Sequence, residues 1–222
     1  MMLCTCLAES NVNDCLKVAK SIDTDIVEHR IDYLNDIYSL EILYRSIAQP
    51  VISTVRPEWE GGLFTGSEES RLEMLNLAMD AGCAAIDVEH SASEWFKEMA
   101  MGKAKKTSTI VISSKHYFEN TPDLPILISL ISSMKQEGAD LGKIITTARD
   151  IRDCETIAKL QRYANSIGFP LVTFAMGEKG LISRVASIRL GSPFTYVSIG
   201  KKTALGQVSA DIMRLLLEEG SV

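Results

Sequence analysis

The chain has 222 residues, with 23 Lys and Arg against 29 Asp and Glu, and the resulting net charge of −6 disfavours nucleic acid as a partner and points to a small molecule. Five cysteines (Cys4, Cys6, Cys15, Cys83, Cys154) are odd in number and include no Cys-x-x-Cys pair, which argues against a disulfide framework or a zinc site and for reduced thiols inside a cell. No apolar run approaches the roughly eighteen residues of a membrane span, and no basic region leads into a long apolar one, so a cytoplasmic protein without a membrane partner is expected.

Met2 to Leu7 reads as a first strand, and Val12, Cys15, Leu16 and Ala19 recur at helical spacing after it. Strands follow at about Asp25 to Ile31 and Pro50 to Val55. Leu72, Leu75, Ala78 and Met79 mark a helix, with Thr65-x-x-Glu68 as a capping box at its start and Gly82 at its end. Further strands are predicted at Ala84 to Val88, Thr107 to Ser113, Leu141 to Thr146, Pro170 to Ala175 and Phe194 to Ile199, with helix-stop glycines at Gly102, Gly138, Gly168 and Gly191. Eight strand and helix units of roughly 28 residues each sit near the minimum for a βα repeat. The simplest architecture is an α/β chain forming a single (β/α)8 TIM barrel over residues 1–222. A doubly wound open sheet is the alternative, but no Gly-x-Gly-x-x-Gly follows the first strand. No linker, low-complexity tract or repeat suggests a second domain.

Within these elements Lys143 stands out, a single cation inside the run Ala139-Asp-Leu-Gly-Lys-Ile-Ile-Thr-Thr-Ala148. Burial would depress its pKa and leave a neutral amine, which is a nucleophile toward carbonyls. On this strand alone the better reading is a lysine whose stem is buried and whose head snorkels to water. The other strand ends reverse that preference. In a barrel the C-terminal ends of the strands carry the chemistry, and here they are polar: Glu28 and Arg30 on the face shared with Ile26, with His29 on the other; Arg56, then Glu58-Trp59-Glu60-Gly61-Gly62; Asp87 and Glu89; Ser114-Lys115-His116; Arg184 in Gly180-Leu-Ile-Ser-Arg184; Gln207 in Thr203-Ala-Leu-Gly-Gln207. Such a set has a chemical logic. The lysine makes an iminium, the histidine moves a proton, the arginines hold a carboxylate or hydroxyls, and Asp87 and Glu89 balance the cations. The three histidines make no convincing metal site, because His29 and His90 alternate outward and leave His116 alone, and the chemistry asks for no cofactor.

Taken in order and spacing, Glu28-x-Arg30, Arg56 with Glu60-Gly61-Gly62, Ile86-Asp87-Val88-Glu89, Ser114-Lys115-His116, Lys143-Ile144, Gly180-x-x-Ser183-Arg184 and Gly206-Gln207 resemble the type I 3-dehydroquinate dehydratases, along nearly the whole chain. The resemblance implies a hydro-lyase of the shikimate pathway of aromatic amino acid biosynthesis, in which Lys143 forms an imine with 3-dehydroquinate and His116 is general base and acid. It implies further that Glu60 orients or tunes the histidine, and that Glu28, Arg30, Arg56, Arg184, Thr203 and Gln207 bind the substrate. Thr203 stands where bacterial relatives usually carry a serine, which adds a methyl group. The chain is also shorter than typical bacterial members, so the loops after the third and eighth strands are expected to be trimmed.

Two other readings stay open. A class I aldolase would use the same lysine and hold a sugar phosphate in glycine-rich loops such as Gly177-Glu-Lys-Gly180 and Gly200-Lys-Lys202; a non-catalytic barrel would leave the ionisable strand ends unexplained. Ile212, Leu215 and Leu216 on the last helix suit burial in a homodimer, and the Glu58 to Gly66 loop, with two glycines and a tryptophan, suits a lid.

Overall fold

A computed structural model of the chain describes residues 2–37, 39–198 and 208–218. In these, strands and helices alternate as β1 (Met2–Leu7), α1 (Val12–Ala19), β2 (Ile26–Arg30), α2 (Leu40–Ser46), β3 (Val51–Thr54), α3 (Glu68–Asp80), β4 (Ala85–Glu89) and α4 (Glu94–Thr107). They continue as β5 (Ile110–His116), α5 (Leu124–Gln136), β6 (Leu141–Thr147), α6 (Ile151–Ser166), β7 (Leu171–Met176), α7 (Leu181–Arg189), β8 (Phe194–Val197) and α8 (Ala210–Glu218). The strand order β7-β6-β5-β4-β3-β2-β1-β8 keeps neighbours in sequence as neighbours in the sheet, and the fold is the (β/α)8 TIM barrel. Among the described residues no helix is long and apolar enough to cross a membrane.

The chain divides into two compact units, Thr5–Ile112 and Ser113–Val222 with Met1–Cys4. In the first, β2, β3 and β4 pair in parallel, and the register aligns Arg30 with Thr54 and Thr54 with Asp87. Because side chains alternate along a strand, these three share one face with Glu28, Arg56 and Glu89. His29 aligns with Ser53 on the opposite face, which is covered by helices. There the His29 Nδ1 lies 3.0 Å from the Tyr44 hydroxyl of α2, itself 2.7 Å from Ser53 Oγ. In the second unit β6 pairs with β7, and Ile144 and Leu171 pack under α5 and α6 with Leu127, Ile131, Met134 and Leu160. Ile144 therefore faces the helices, and its strand neighbour Lys143 faces away from them.

Local signals set most boundaries, and three were misread. Ser67, not Thr65, caps α3: its Oγ accepts from Ser70 N at 3.3 Å, and Glu68 is the first helical residue rather than the reciprocal half of a capping box. Gly102 does not stop α4. A Cβ there would meet nothing within 4 Å, so the helix runs through it at a small propensity cost to Thr107 and ends on Ser108 in the left-handed region at φ 56°. That helical turn takes up the residues read as the start of the fifth strand, and β5 begins at Ile110 and runs to His116. Gly82, Gly138, Gly168 and Gly191 all have positive φ, as helix-ending glycines should. Ile199, at the end of the eighth predicted strand, lies outside the described residues, as do Thr203, Gln207 and the Gly200-Lys-Lys202 segment.

Candidate active site

The first unit carries a buried ionic lattice. Arg56 donates to Asp87 Oδ2 and to Glu89 Oε1, both at 2.7 Å, so its guanidinium is held by two carboxylates from one strand. Burial opposes the charge of Arg56, yet Asp87, Glu89 and Glu28 hold its proton affinity above the ordinary range. Glu89 has its proton affinity raised by burial, against which Arg56 and Arg71 both act. Glu28 is buried and accepts from Thr54 Oγ1 at 3.1 Å and from the Cys6 thiol at 3.0 Å. Arg30 forms a two-pronged pair with Asp32, at 2.9 and 2.7 Å, which raises its proton affinity although burial opposes it.

Asp32 also accepts from Leu63 N at 3.1 Å, which ties the loop after β3 to the end of β2. That loop is folded back on its own start. Gly61 adopts φ 76°, Glu58 N bonds Phe64 O, and Phe64 N bonds Arg56 O at 3.1 Å. Gly62 is required by proximity: a Cβ there would lie 1.9 Å from the Arg56 carbonyl oxygen. The Glu60-Gly61-Gly62 motif is thus a tight return that places Glu60, which is buried and accepts from Ser91 Oγ at 3.1 Å. The loop read as a lid is in this state a tethered turn with Trp59 54% exposed at its tip.

In the second unit Lys143 is 4% exposed, so its head does not snorkel to solvent. Its Nζ lies 4.6 Å from the centre of the Tyr196 ring. Arg184 reaches the same tyrosine from α7, with Nη1 3.5 Å from the Tyr196 carbonyl and its guanidinium 3.7 Å from the Phe174 ring centre. The Gly180-x-x-Ser183-Arg184 motif explains that placement. Gly180 sits so close to β7 that a Cβ would lie 2.2 Å from the Ala175 carbonyl. Ser183 Oγ accepts from Ala175 N at 2.8 Å and donates to Gly180 O at 2.6 Å, which pins the first turn of α7 and aims Arg184 inward. His116 ends β5, and the residue after it bonds β6 through Tyr117 N to Ile145 O at 2.8 Å; its half-buried ring stacks on Phe118 at 6.0 Å.

Phe174, Tyr196 and Arg71 were not singled out from sequence. Aromatics in an apolar strand read as core, and an arginine in a helix reads as surface, so only their tertiary partners mark them. The glycine-rich stretch considered for phosphate has structural duties instead. Lys179 Nζ donates to Arg149 O at 2.8 Å, Cys154 Sγ to Lys179 O at 3.2 Å, and Gly180 makes room for β7.

The fold is a (β/α)8 barrel that buries a lysine amine on one of its strands. The model of the type I 3-dehydroquinase family matches residues 3–220. The chain is 38% identical over 215 residues to the 3-dehydroquinate dehydratase of Desulfotalea psychrophila, covering 96% of this chain and 95% of that one. It is 34% identical over 217 residues to the 3-dehydroquinate dehydratase of Pyrococcus abyssi, at 98% and 97% coverage. Among solved structures, the type I 3-dehydroquinate dehydratase of Clostridium difficile, with covalently modified comenic acid, superposes with a TM-score of 0.90 at 26% identity, over 98% of this chain and 91% of that one. The chain belongs to the type I 3-dehydroquinase family.

Proposed function

We propose that this chain dehydrates 3-dehydroquinate to 3-dehydroshikimate through an imine on Lys143, as a hydro-lyase of the shikimate pathway. The observation that carries the reading is Lys143 itself: a buried lysine on the strand face turned away from the helices, set against Tyr196 with Arg184 on the same residue. The amine attacks the substrate ketone and, with loss of water, gives an iminium. That cation is an electron sink for the adjacent carbon, so His116 can remove the α-proton to leave an enamine. The enamine expels the β-hydroxyl, which takes the proton from His116 and departs as water. Hydrolysis of the product iminium consumes one water, which balances the one lost in the first step, and frees Lys143.

In this reading Arg184 holds the substrate carboxylate, a task suited to a planar two-pronged donor. Glu28, Arg30, Arg56, Thr203 and Gln207 bind the remaining polar groups, and Glu60 orients or tunes His116. The two compact units serve as one catalytic domain. The enzyme works in the cytoplasm as a homodimer in which the apolar outer face of α8, with Ile212 49% and Leu215 57% exposed, is covered.

Borohydride reduction in the presence of 3-dehydroquinate tests the assignment. Substrate mass should be fixed on Lys143, and Lys143→Ala should lose both trapping and turnover while keeping its circular dichroism. His116→Ala should still be trapped but turn over about two to four orders of magnitude more slowly. A label on Lys115 or Lys179 would place the imine on the wrong lysine, and trapping only with a sugar phosphate would make the protein an aldolase.

A further inference from the structure

We infer that Arg71, in α3, is a positioning residue for substrate binding that acts on Arg56 through Glu89. The inference rests on the reading that Arg56 contacts the substrate. Glu89 spans two guanidiniums: its Oε1 accepts from Arg56 Nη1 at 2.7 Å, and its Oε2 accepts from Arg71 Nη1. Each carboxylate oxygen thus has its own arginine, and the plane of the carboxylate is set by both.

Arg71 is itself held rigidly. It is fully buried, with its guanidinium 4.0 Å from the Phe96 ring centre on α4 and 5.7 Å from that of Trp59. Its Nη2 lies 3.4 Å from Glu68 Oε1, and Glu68 in turn accepts from Ser93 N at 3.1 Å and from Ser93 Oγ, at the cap of α4. The order of command runs from the α3–α4 contact through Arg71 and Glu89 to Arg56. Helix packing alone does not call for an arginine here, because Leu72, Leu75 and Met79 already bury α3, and apolar side chains fill such space without the desolvation cost of an ion. Nor is Arg71 arranged to hold a ligand, since both Nη atoms are engaged by carboxylates.

Without Arg71, the Oε2 of Glu89 would face a buried site with its main partner gone. The carboxylate would then rotate to put both oxygens on Arg56 or take up a proton, and either change re-aims the Arg56 guanidinium. A pocket of about 300 Å³ beside Arg71, lined also by Pro57, Trp59 and Phe64, lets water fill the space of a shorter side chain, so the fold tolerates the substitution.

The test is a double-mutant cycle on dehydroquinate turnover with thermal melts alongside. Arg71→Met should raise KM about tenfold or more while kcat stays within about threefold and borohydride trapping persists at saturating substrate. Arg71→Lys, which restores one bond to Glu89, should recover part of the loss. In an Arg56→Met background, Arg71→Met should change KM by less than about twofold. A raised KM in Arg56→Met on which Arg71→Met multiplies in full overturns the inference alone. An unchanged KM in Arg56→Met removes Arg56 from substrate binding and the inference with it. A lowered melting temperature with unchanged KM in both Arg71 variants reduces Arg71 to a packing role and also overturns it.

Discussion

Acidification should destabilise this protein through His29, by an amount the structure lets us work out. The ring is fully buried on the helix-facing side of β2, with Nδ1 3.0 Å from the Tyr44 hydroxyl and Nε2 3.8 Å from Cys15 Sγ. Burial pulls its pKa from 6.5 down to about 4, with Asp32 acting weakly the other way. The two groups that face its ring nitrogens stay neutral: burial pushes the Cys15 thiol up to about 11 and the Tyr44 hydroxyl up as well. The unfolded chain therefore binds a proton at His29 below pH 6.5 that the folded chain refuses until about pH 4. The contribution of neutral His29 is fully present above pH 6.5 and is lost as pH falls through that window. The gap amounts to about 3 kcal/mol when fully developed, of which about 2 kcal/mol is lost between pH 7 and pH 4.5. For a chain of this size that is a fall of roughly 4–8 °C in Tm. Urea unfolding followed by circular dichroism from pH 7.5 to 4.5, on wild type and His29→Gln, isolates the effect, since other titrating groups are common to both. Wild type should lose about 2 kcal/mol more than the variant over that range. Parallel stability curves for the two proteins would refute the reasoning.

Other expectations follow from close contacts at the two glycine motifs and from the carboxylate clamp. Gly180→Ala should destabilise by about 1–3 kcal/mol or more, because its methyl meets the Ala175 carbonyl; kcat/KM should fall with it as α7 moves Arg184, and wild-type values for both would contradict the account of the motif. Gly62→Ala should act likewise on the turn that ends against Arg56, and a urea midpoint equal to that of wild type would show that the loop yields without cost. Arg184→Lys should raise KM for dehydroquinate about tenfold or more with little effect on the melting temperature, while inorganic phosphate inhibits wild type only weakly; tight phosphate inhibition would favour a phosphate site over a carboxylate clamp.

Period and punctuation in the sequence carried the fold. Short apolar runs alternating with helical spacing located all eight strands, and glycines at positive φ ended the helices after Asp80, Gln136, Ser166 and Arg189, because a residue without Cβ is cheapest in the left-handed region. The same local rules misplaced Thr65 and Gly102. Two hydroxyls two residues apart can each cap a helix, and a glycine on an exposed helix surface is merely costly; which option wins depends on what the rest of the chain packs there. Strand alternation also paired Glu28 with Arg30, and Asp87 with Glu89, on one face of their own strands, since a period of two leaves no other choice; the register of β2, β3 and β4 then put the two pairs on the same side.

The state of each charge was decided only by tertiary structure. Whether Lys143 snorkels or stays buried turns on Tyr196, two strands later in the chain, and on the face that Ile144 commits to the helices. That Arg56 is held by both Asp87 and Glu89, and that Arg71 completes the second of these, follows from side chains meeting across β3, β4 and α3. Spacing along one strand or helix reports which side a residue faces. Partners on other elements report what it touches once there, and for ionisable groups in a low-dielectric interior those partners determine charge, direction and chemistry.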